Sequence, residues 1–110
     1  MEWKSYLAET SENVDKIRDV KPQIGEGFTA MHKAAMEPGA LSVKEKELQA
    51  LAIGISKQCV DCIGFHVRAA RKAGATREEL VETIGVAVMM GGGPAYMYGS
   101  KAIEAWDALA

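Results

Sequence analysis

The amino-acid sequence predicts an all-α protein, a six-helix bundle, on three observations. Only three prolines interrupt its 110 residues. No segment alternates apolar and polar residues over the length of a convincing strand. Apolar residues instead recur at helical spacing within segments that short turns separate. We expect a single domain over residues 1–110, because single domains commonly contain roughly 100–150 residues.

The first two helices are predicted on either side of Pro22. The first covers about Trp3 to Val20, although the polar stretch 10–13 could divide it in two. Pro22 suits the first turn of the second helix, where a missing N–H costs nothing. Pro38 and Gly39 end that helix. Its predicted buried stripe consists of Ile24, Phe28, Met31 and Ala35.

Capping signals delimit the third and fourth helices. Ser42 and Glu45 fit a capping box, so the third helix is expected from Val43 to about Lys57. The fourth helix begins at residue 59 or 60 and ends at Gly74, a residue suited to the left-handed conformation that follows many helices. The expected core positions of the third helix are Leu48, Leu51, Ala52 and Ile55.

A second capping box, formed by Thr76 and Glu79, opens the fifth helix, which the glycines at 91–93 break. Pro94 then opens a last helix, expected from Ala95 to Leu109. The fifth helix is apolar nearly all round. A chain of this size has little interior in which to hide such a helix, so we expect it to lie at a subunit interface.

Composition and charge exclude several classes of protein. Thirteen basic and fifteen acidic residues give a net charge of −2, which lacks the basic character of a nucleic-acid-binding protein. No apolar run approaches the roughly 18–20 residues that cross a bilayer. The first residues lack the apolar core of a signal peptide, so we expect a cytoplasmic location. We therefore expect neither nucleic acid nor a membrane as a partner.

The most informative motif is a pair of cysteines followed by a histidine. Cys59, Cys62 and His66 are spaced i, i+3 and i+7, which places them on one face of a helix. The partial positive charge of a helix N-terminus stabilises a thiolate, and a nearby base helps to remove the thiol proton. A second thiol three residues away can close a disulfide on an oxidised first one. The spacing therefore indicates a dithiol redox centre.

Other interpretations of the same residues stay open at this point. The cysteines could be two small buried apolar residues. A structural zinc site would need four ligands, from a second subunit if necessary. The thiol and imidazole donors of the chain are Cys59, Cys62, His66 and His32. His32 stands alone on its predicted helix, which favours a structural role.

Glu47 lies twelve residues before the first cysteine. From composition alone it is a solvated member of the charged run 44–47. If the third and fourth helices form an antiparallel hairpin, however, Glu47 could turn toward the cysteine pair.

The stretch from Glu47 to His66 has the spacing Glu-x11-Cys-x2-Cys-x3-His and resembles the alkylhydroperoxidase D-like branch of the carboxymuconolactone decarboxylase family. Segments 48–53 and 66–76 support the resemblance, which covers about Met31 to Ala108. It implies an all-helical fold in which a helical hairpin carries the CxxC motif at a helix N-terminus. It also implies assembly into a homo-trimer or a homo-hexamer.

The resemblance further implies a thiol-dependent peroxidase or disulfide reductase with alkylhydroperoxidase-like antioxidant activity. On the matching positions, Cys62 attacks the peroxide and Cys59 resolves the product. His66 and Glu47 form a proton relay that activates Cys62. A dihydrolipoyl group or another thiol protein then restores the dithiol. The resemblance implies no haem, flavin or metal.

One position departs from the family pattern. Asp61 stands where peroxidase-active members often carry an aromatic residue. Its charge is expected to disfavour a thiolate by repulsion, although an acidic residue suits a helix N-terminus. Two other functions remain as alternatives: a lactone decarboxylase, whose chemistry needs a proton donor but no cysteines, and a zinc-stabilised or interaction protein without enzymatic activity.

Overall fold

The protein is a bundle of six α-helices without a strand, and the computed structural model describes all of residues 1–110. The predicted all-α, six-helix fold is thereby confirmed. The helices are α1 (Trp3–Val20), α2 (Pro22–Met36), α3 (Val43–Ser56), α4 (Val60–Lys72), α5 (Arg77–Gly91) and α6 (Gly93–Ala108). None of them is long and apolar enough to cross a membrane.

Short-range capping interactions set several helix ends where the sequence predicts them. Ser42 and Thr76 each accept a hydrogen bond from the backbone N–H three residues later. Glu45 and Glu79 complete both capping boxes by accepting from the cap residues' own N–H groups. Gly74 follows α4 with a φ of 98°, in the left-handed region that glycine tolerates best.

Two helix boundaries refine the prediction. α1 continues without interruption through its polar middle, residues 10–13. α6 begins at Gly93, two residues before the expected Ala95, because Pro94 occupies its first turn.

α3 and α4 form the antiparallel hairpin at the centre of the bundle. Their direction follows from two contacts: Gly54 lies against Cys62 near the turn, and Glu47 pairs with His66 farther away. Both helices also pack against α6, and α3 packs against α5. The fully buried side chains of the hairpin are Leu51, Ile55, Ile63, Val67 and Ala70.

α1 crosses α4 closely at Gly64. A Cβ added at this glycine would lie 2.9 Å from side-chain atoms of both Trp3 and Leu7, which are buried. The indole Nε1 of Trp3 also donates a hydrogen bond to Glu104 of α6 at 2.6 Å. α1 is therefore held against the two helices that close one side of the core.

The predicted buried stripe of α2 is wrong for the single chain. Ile24, Phe28 and Met31 are each more than half exposed, Ala35 is exposed, and Gly25 is the only buried residue of the helix. The physical reason is position: α2 lies at the edge of the bundle, packed on α1 and in slight contact with α3. Its apolar face therefore has no helix of its own chain to cover it.

α5 leaves much of its apolar surface uncovered. Only Leu80 and Ala87 of this helix are buried, whereas Val86, Met89 and Met90 are exposed. The prediction that this helix lies at a subunit interface stays a prediction.

Candidate redox site

The cysteine pair lies where the hairpin turns from α3 into α4. Gln58 reverses the chain with a φ of 56°, and the N–H of Cys59 donates to the carbonyl of Gly54 at 3.0 Å. Cys59 is the N-cap of α4, and its Sγ accepts from the backbone N–H of Cys62 at 3.2 Å. Both cysteines therefore occupy the helix N-terminus, as the sequence predicts, where free N–H groups favour an anion.

Cys59 and Cys62 are joined by a disulfide, with their Cα atoms 5.2 Å apart. The two residues are half-buried, so they are not core residues of the kind that the apolar interpretation requires. The bond joins two residues that are three positions apart at the start of one helix. The arrangement is that of a two-electron dithiol–disulfide couple.

Glu47 and His66 form a hydrogen-bonded pair between α3 and α4. Oε1 of Glu47 lies 2.7 Å from Nδ1 of His66. Glu47 is 8% exposed, so the interpretation of this residue as a solvated carboxylate, drawn from composition alone, is wrong. The antiparallel hairpin turns it inward, because position 47 lies on the same face of α3 as the buried Leu51 and Gly54.

The pairing selects one tautomer of a neutral His66. An ionised carboxylate only accepts hydrogen bonds, so Nδ1 must carry the proton that it donates to Glu47. The lone pair of Nε2 is then free to take up a proton. His66 lies one helical turn after Cys62 and makes no hydrogen bond to either sulfur in the disulfide form.

Asp61 has partners that the sequence did not reveal. Thr10 of α1 donates its hydroxyl hydrogen to Oδ1 of Asp61 at 2.9 Å. Asp61 also raises the pKa of the Tyr6 phenol, first by hydrogen bonding, with burial and the charges of Asp61 and Glu9 adding to the effect. The only sequence signal for this contact is that Tyr6 and Thr10 lie one turn apart on α1.

His32 is exposed on α2, where its ring lies 6.0 Å from that of Phe28. No three His, Cys, Asp or Glu side chains come together in a way that could hold a metal ion. The structure thus brings Cys59, Cys62, His66 and Glu47 together on the hairpin and leaves His32 on a separate element.

Known proteins are similar to this chain in both sequence and fold. The profile of the carboxymuconolactone decarboxylase family matches residues 22–105. An uncharacterized protein of Cupriavidus necator is 39% identical over 106 residues, which are 96% of this chain and 94% of that protein. Uncharacterized protein 4 in the cox locus of Paracoccus denitrificans is 40% identical over 86 residues, 78% of each chain.

Two solved structures also match this chain in fold. A carboxymuconolactone decarboxylase family protein of Legionella pneumophila is 43% identical, with a TM-score of 0.95 over 97% of this chain and 96% of that one. A family protein of Thermotoga maritima, for which involvement in an antioxidative response has been suggested, is 26% identical, with a TM-score of 0.84 over 94% and 89%. The chain is therefore a member of the carboxymuconolactone decarboxylase family that carries a CxxC pair.

Proposed function

We propose that this protein is a thiol-dependent peroxidase or disulfide reductase of the alkylhydroperoxidase type. One observation carries the proposal: a disulfide-forming pair caps a helix one turn before a histidine that a buried carboxylate orients. Nucleophilic thiols are commonly activated by such a base and by a helix N-terminus. The antioxidative role suggested for the Thermotoga maritima relative is compatible with this chemistry.

The oxidative half of the proposed cycle consumes one peroxide. His66 takes the proton of the Cys62 thiol, directly or through one water, while Glu47 stabilises the imidazolium. The thiolate attacks the peroxide, the O–O bond breaks, and the alcohol or water leaves with the proton from His66. Cys62 is now a sulfenic acid. The Cys59 thiol attacks its sulfur, forming the disulfide and releasing water.

The reductive half consumes one external dithiol. A dihydrolipoyl group or a thiol protein attacks the Cys59–Cys62 disulfide and forms a mixed disulfide. The second thiol of the donor then attacks the mixed disulfide. The donor becomes a disulfide, and both cysteines of the protein are released as thiols. The donor loses two electrons and two protons, which balances the electrons delivered to the peroxide. In the reductase alternative, a substrate disulfide replaces the peroxide. The Cys59–Cys62 dithiol then reduces this substrate by the same thiol–disulfide exchange run in the opposite direction.

The test is peroxide oxidation of the reduced protein, quenched with an alkylating agent and followed by intact mass. We expect the wild type to lose both alkylation sites as its mass falls by two hydrogens. The two serine variants serve as matched controls for each other, since the chain has only two cysteines. Cys59→Ser should stop at a sulfenic acid that dimedone traps, and Cys62→Ser should react no faster than an unactivated thiol.

Full peroxide-dependent turnover by Cys62→Ser would refute the peroxidase proposal. Slow oxidation of the wild type combined with rapid reduction of small disulfides would instead support the reductase form.

The decarboxylase activity that gives the family its name is the second candidate. The observation that favours it is the Glu47–His66 pair, which can hold and move a proton without the cysteines. A Cys59→Ser/Cys62→Ser double variant with unchanged activity on a lactone substrate would favour this candidate. The decarboxylase candidate would be rejected if the wild type acted only on peroxide and the double variant acted on neither lactone nor peroxide.

A further inference from the structure

Asp61, the second of the two residues between the cysteines, is held by α1. Its carboxylate accepts a hydrogen bond from Thr10, which lies 51 positions earlier in the chain. Tyr6, one turn before Thr10, interacts with the same carboxylate, and this contact raises the pKa of its phenol. The proposed peroxidase cycle uses none of these three residues.

Helix packing explains the contact. Asp61 and Gly64 are three positions apart and so lie on one side of α4, where Trp3 and Leu7 of α1 press against Gly64. Cys62 points away from Gly64 and toward α3, with its Cβ 3.2 Å from the position that a Cβ would take at residue 54. The cysteine turn is therefore flanked by α3 on the side of Cys62 and by α1 on the side of Asp61.

α1 precedes the segment 22–105 that matches the family profile. The contact to Asp61 therefore comes from a part of this chain outside that match.

We propose that Asp61 is a positioning residue whose carboxylate, held beside the cysteine turn by Thr10, opposes formation of the Cys62 thiolate. This inference rests on the proposed function, because it concerns the reactivity of the same thiol. The step itself is a proton transfer: the S–H bond breaks, the proton goes to His66 or solvent, and no electrons change hands.

The physical reason is repulsion between the charges of two adjacent residues. A carboxylate near a developing thiolate disfavours the thiolate. The helix N-terminus acts in the opposite direction and favours it. The hydrogen bond from Thr10 of α1 restricts this carboxylate to one position beside the turn. The other ionisable groups near the turn are Lys57 at the end of α3 and the Glu47–His66 pair between α3 and α4. On α1, Tyr6 lies beside Asp61, and the charge of Glu9 acts on Tyr6.

The test measures the thiol pKa of Cys62 from the pH profile of its alkylation by iodoacetamide. We use the Cys59→Ser chain so that a single thiol reacts, because serine is itself a good N-cap and preserves the start of α4. Into this chain we introduce Asp61→Asn, which removes the charge and leaves an oxygen that still accepts from Thr10. Glu12→Gln is the matched control, since Glu12 is exposed on α1 and makes no side-chain hydrogen bond or ion pair.

We expect Asp61→Asn to lower the midpoint of the pH profile by about 0.5 pH units or more. This shift corresponds to about a threefold rise in the thiolate fraction at pH values well below the midpoint. Glu12→Gln should leave the midpoint unchanged. Equal midpoints for Asp61→Asn and its parent, in chains with the same circular dichroism, would overturn the proposal. An equal shift from Glu12→Gln would also overturn it, because net charge alone would then explain the effect.

A second set of variants tests the part played by α1. In a Thr10→Val background the carboxylate loses its hydrogen bond to α1, so Asp61→Asn should shift the midpoint less than it does with the Thr10 hydroxyl present. The same shift in both backgrounds would refute the anchoring. Neither measurement contains peroxide or reductant. A protein that failed the peroxidase test could therefore still show the Asp61 effect, and the two proposals fail separately.

Discussion

At the scale of single residues, one buried carboxylate orients the histidine of the candidate site. Glu47 is a buried acceptor, and the hydrogen bond that it accepts from Nδ1 of His66 leaves the opposite ring nitrogen with a free lone pair. The antiparallel hairpin makes this orientation possible, because it sets α3 directly against α4. The role in catalysis that we propose for the pair depends on the charge of Glu47.

We expect Glu47→Gln to slow the peroxide reaction of Cys62 by about tenfold or more. A glutamine amide can donate to Nδ1 as well as accept from it, so it no longer selects the tautomer with a free Nε2 lone pair. The measurement is the rate constant for sulfenic acid or disulfide formation at pH 7.

Glu45→Gln is the matched control for this variant, because it removes the same charge from the same helix and glutamine still fits a capping box. Equal rates for Glu47→Gln and the wild type would exclude Glu47 from the relay.

At the scale of helices, local signals and long-range contacts contribute differently to what could be predicted. The ends of α3, α4 and α5 follow from neighbouring residues, namely two capping boxes and Gly74, and the sequence predicts them to within one or two positions. The burial of Glu47 and the link from Thr10 to Asp61 depend on which helices meet, and no local pattern encodes that. The pairing of Glu47 with His66 was expected only through the family resemblance.

The capping boxes predict a pH-dependent stability. Hydrogen bonds from Ser42 lower the pKa of Glu45, and those from Lys44 and then Thr76 lower the pKa of Glu79, below the ordinary value of 4.5. The folded state therefore binds fewer protons than the unfolded state near this pH. The stabilisation is present in full above pH 4.5 and is lost as the pH falls through the folded-state pKa values.

We expect a Glu45→Gln/Glu79→Gln variant to unfold at a lower urea concentration than the wild type at pH 7. The difference should shrink below pH 4.5, where the wild-type carboxylates become protonated. Glu78→Gln, an exposed neighbour without a side-chain hydrogen bond, is the control and should change the midpoint less. All chains are compared at one protein concentration. A difference that stays constant from pH 7 to pH 3 would contradict the prediction.

At the scale of the whole molecule, the bundle leaves two apolar faces open to solvent. One lies on α2, and the other lies on α5 and the start of α6. Their exposed side chains are Ile24, Phe28, Met31, Val86, Met89, Met90, Tyr96 and Met97. The error in the predicted burial of α2 has its origin here, because an apolar stripe indicates a buried face without indicating which chain covers it. We propose that further copies of this chain cover these faces in a homo-trimer or homo-hexamer.

Sedimentation equilibrium checks the assembly. We expect a mass three or six times 11.8 kDa for the wild type and a smaller mass for Met90→Lys, which places an unpaired charge in an apolar contact. Ser5→Lys, on the exposed side of α1, is the control for added charge and should leave the mass unchanged. A monomeric wild type at micromolar concentration would refute the assembly, and an unchanged mass for Met90→Lys would exclude that part of α5 from the interface.

The position of Trp3 gives the molecule an optical reporter of its own. The indole is 1% exposed and lies over Gly64, on the helix that the cysteines begin, while Trp106 is covered by the guanidinium of Arg71. Detachment of α1 would transfer one of these two fluorophores from an apolar contact into water and shift its emission to longer wavelength. Fluorescence of a Trp106→Phe chain would therefore follow the docking of α1, and with it the anchorage of Asp61, in real time and without any attached dye.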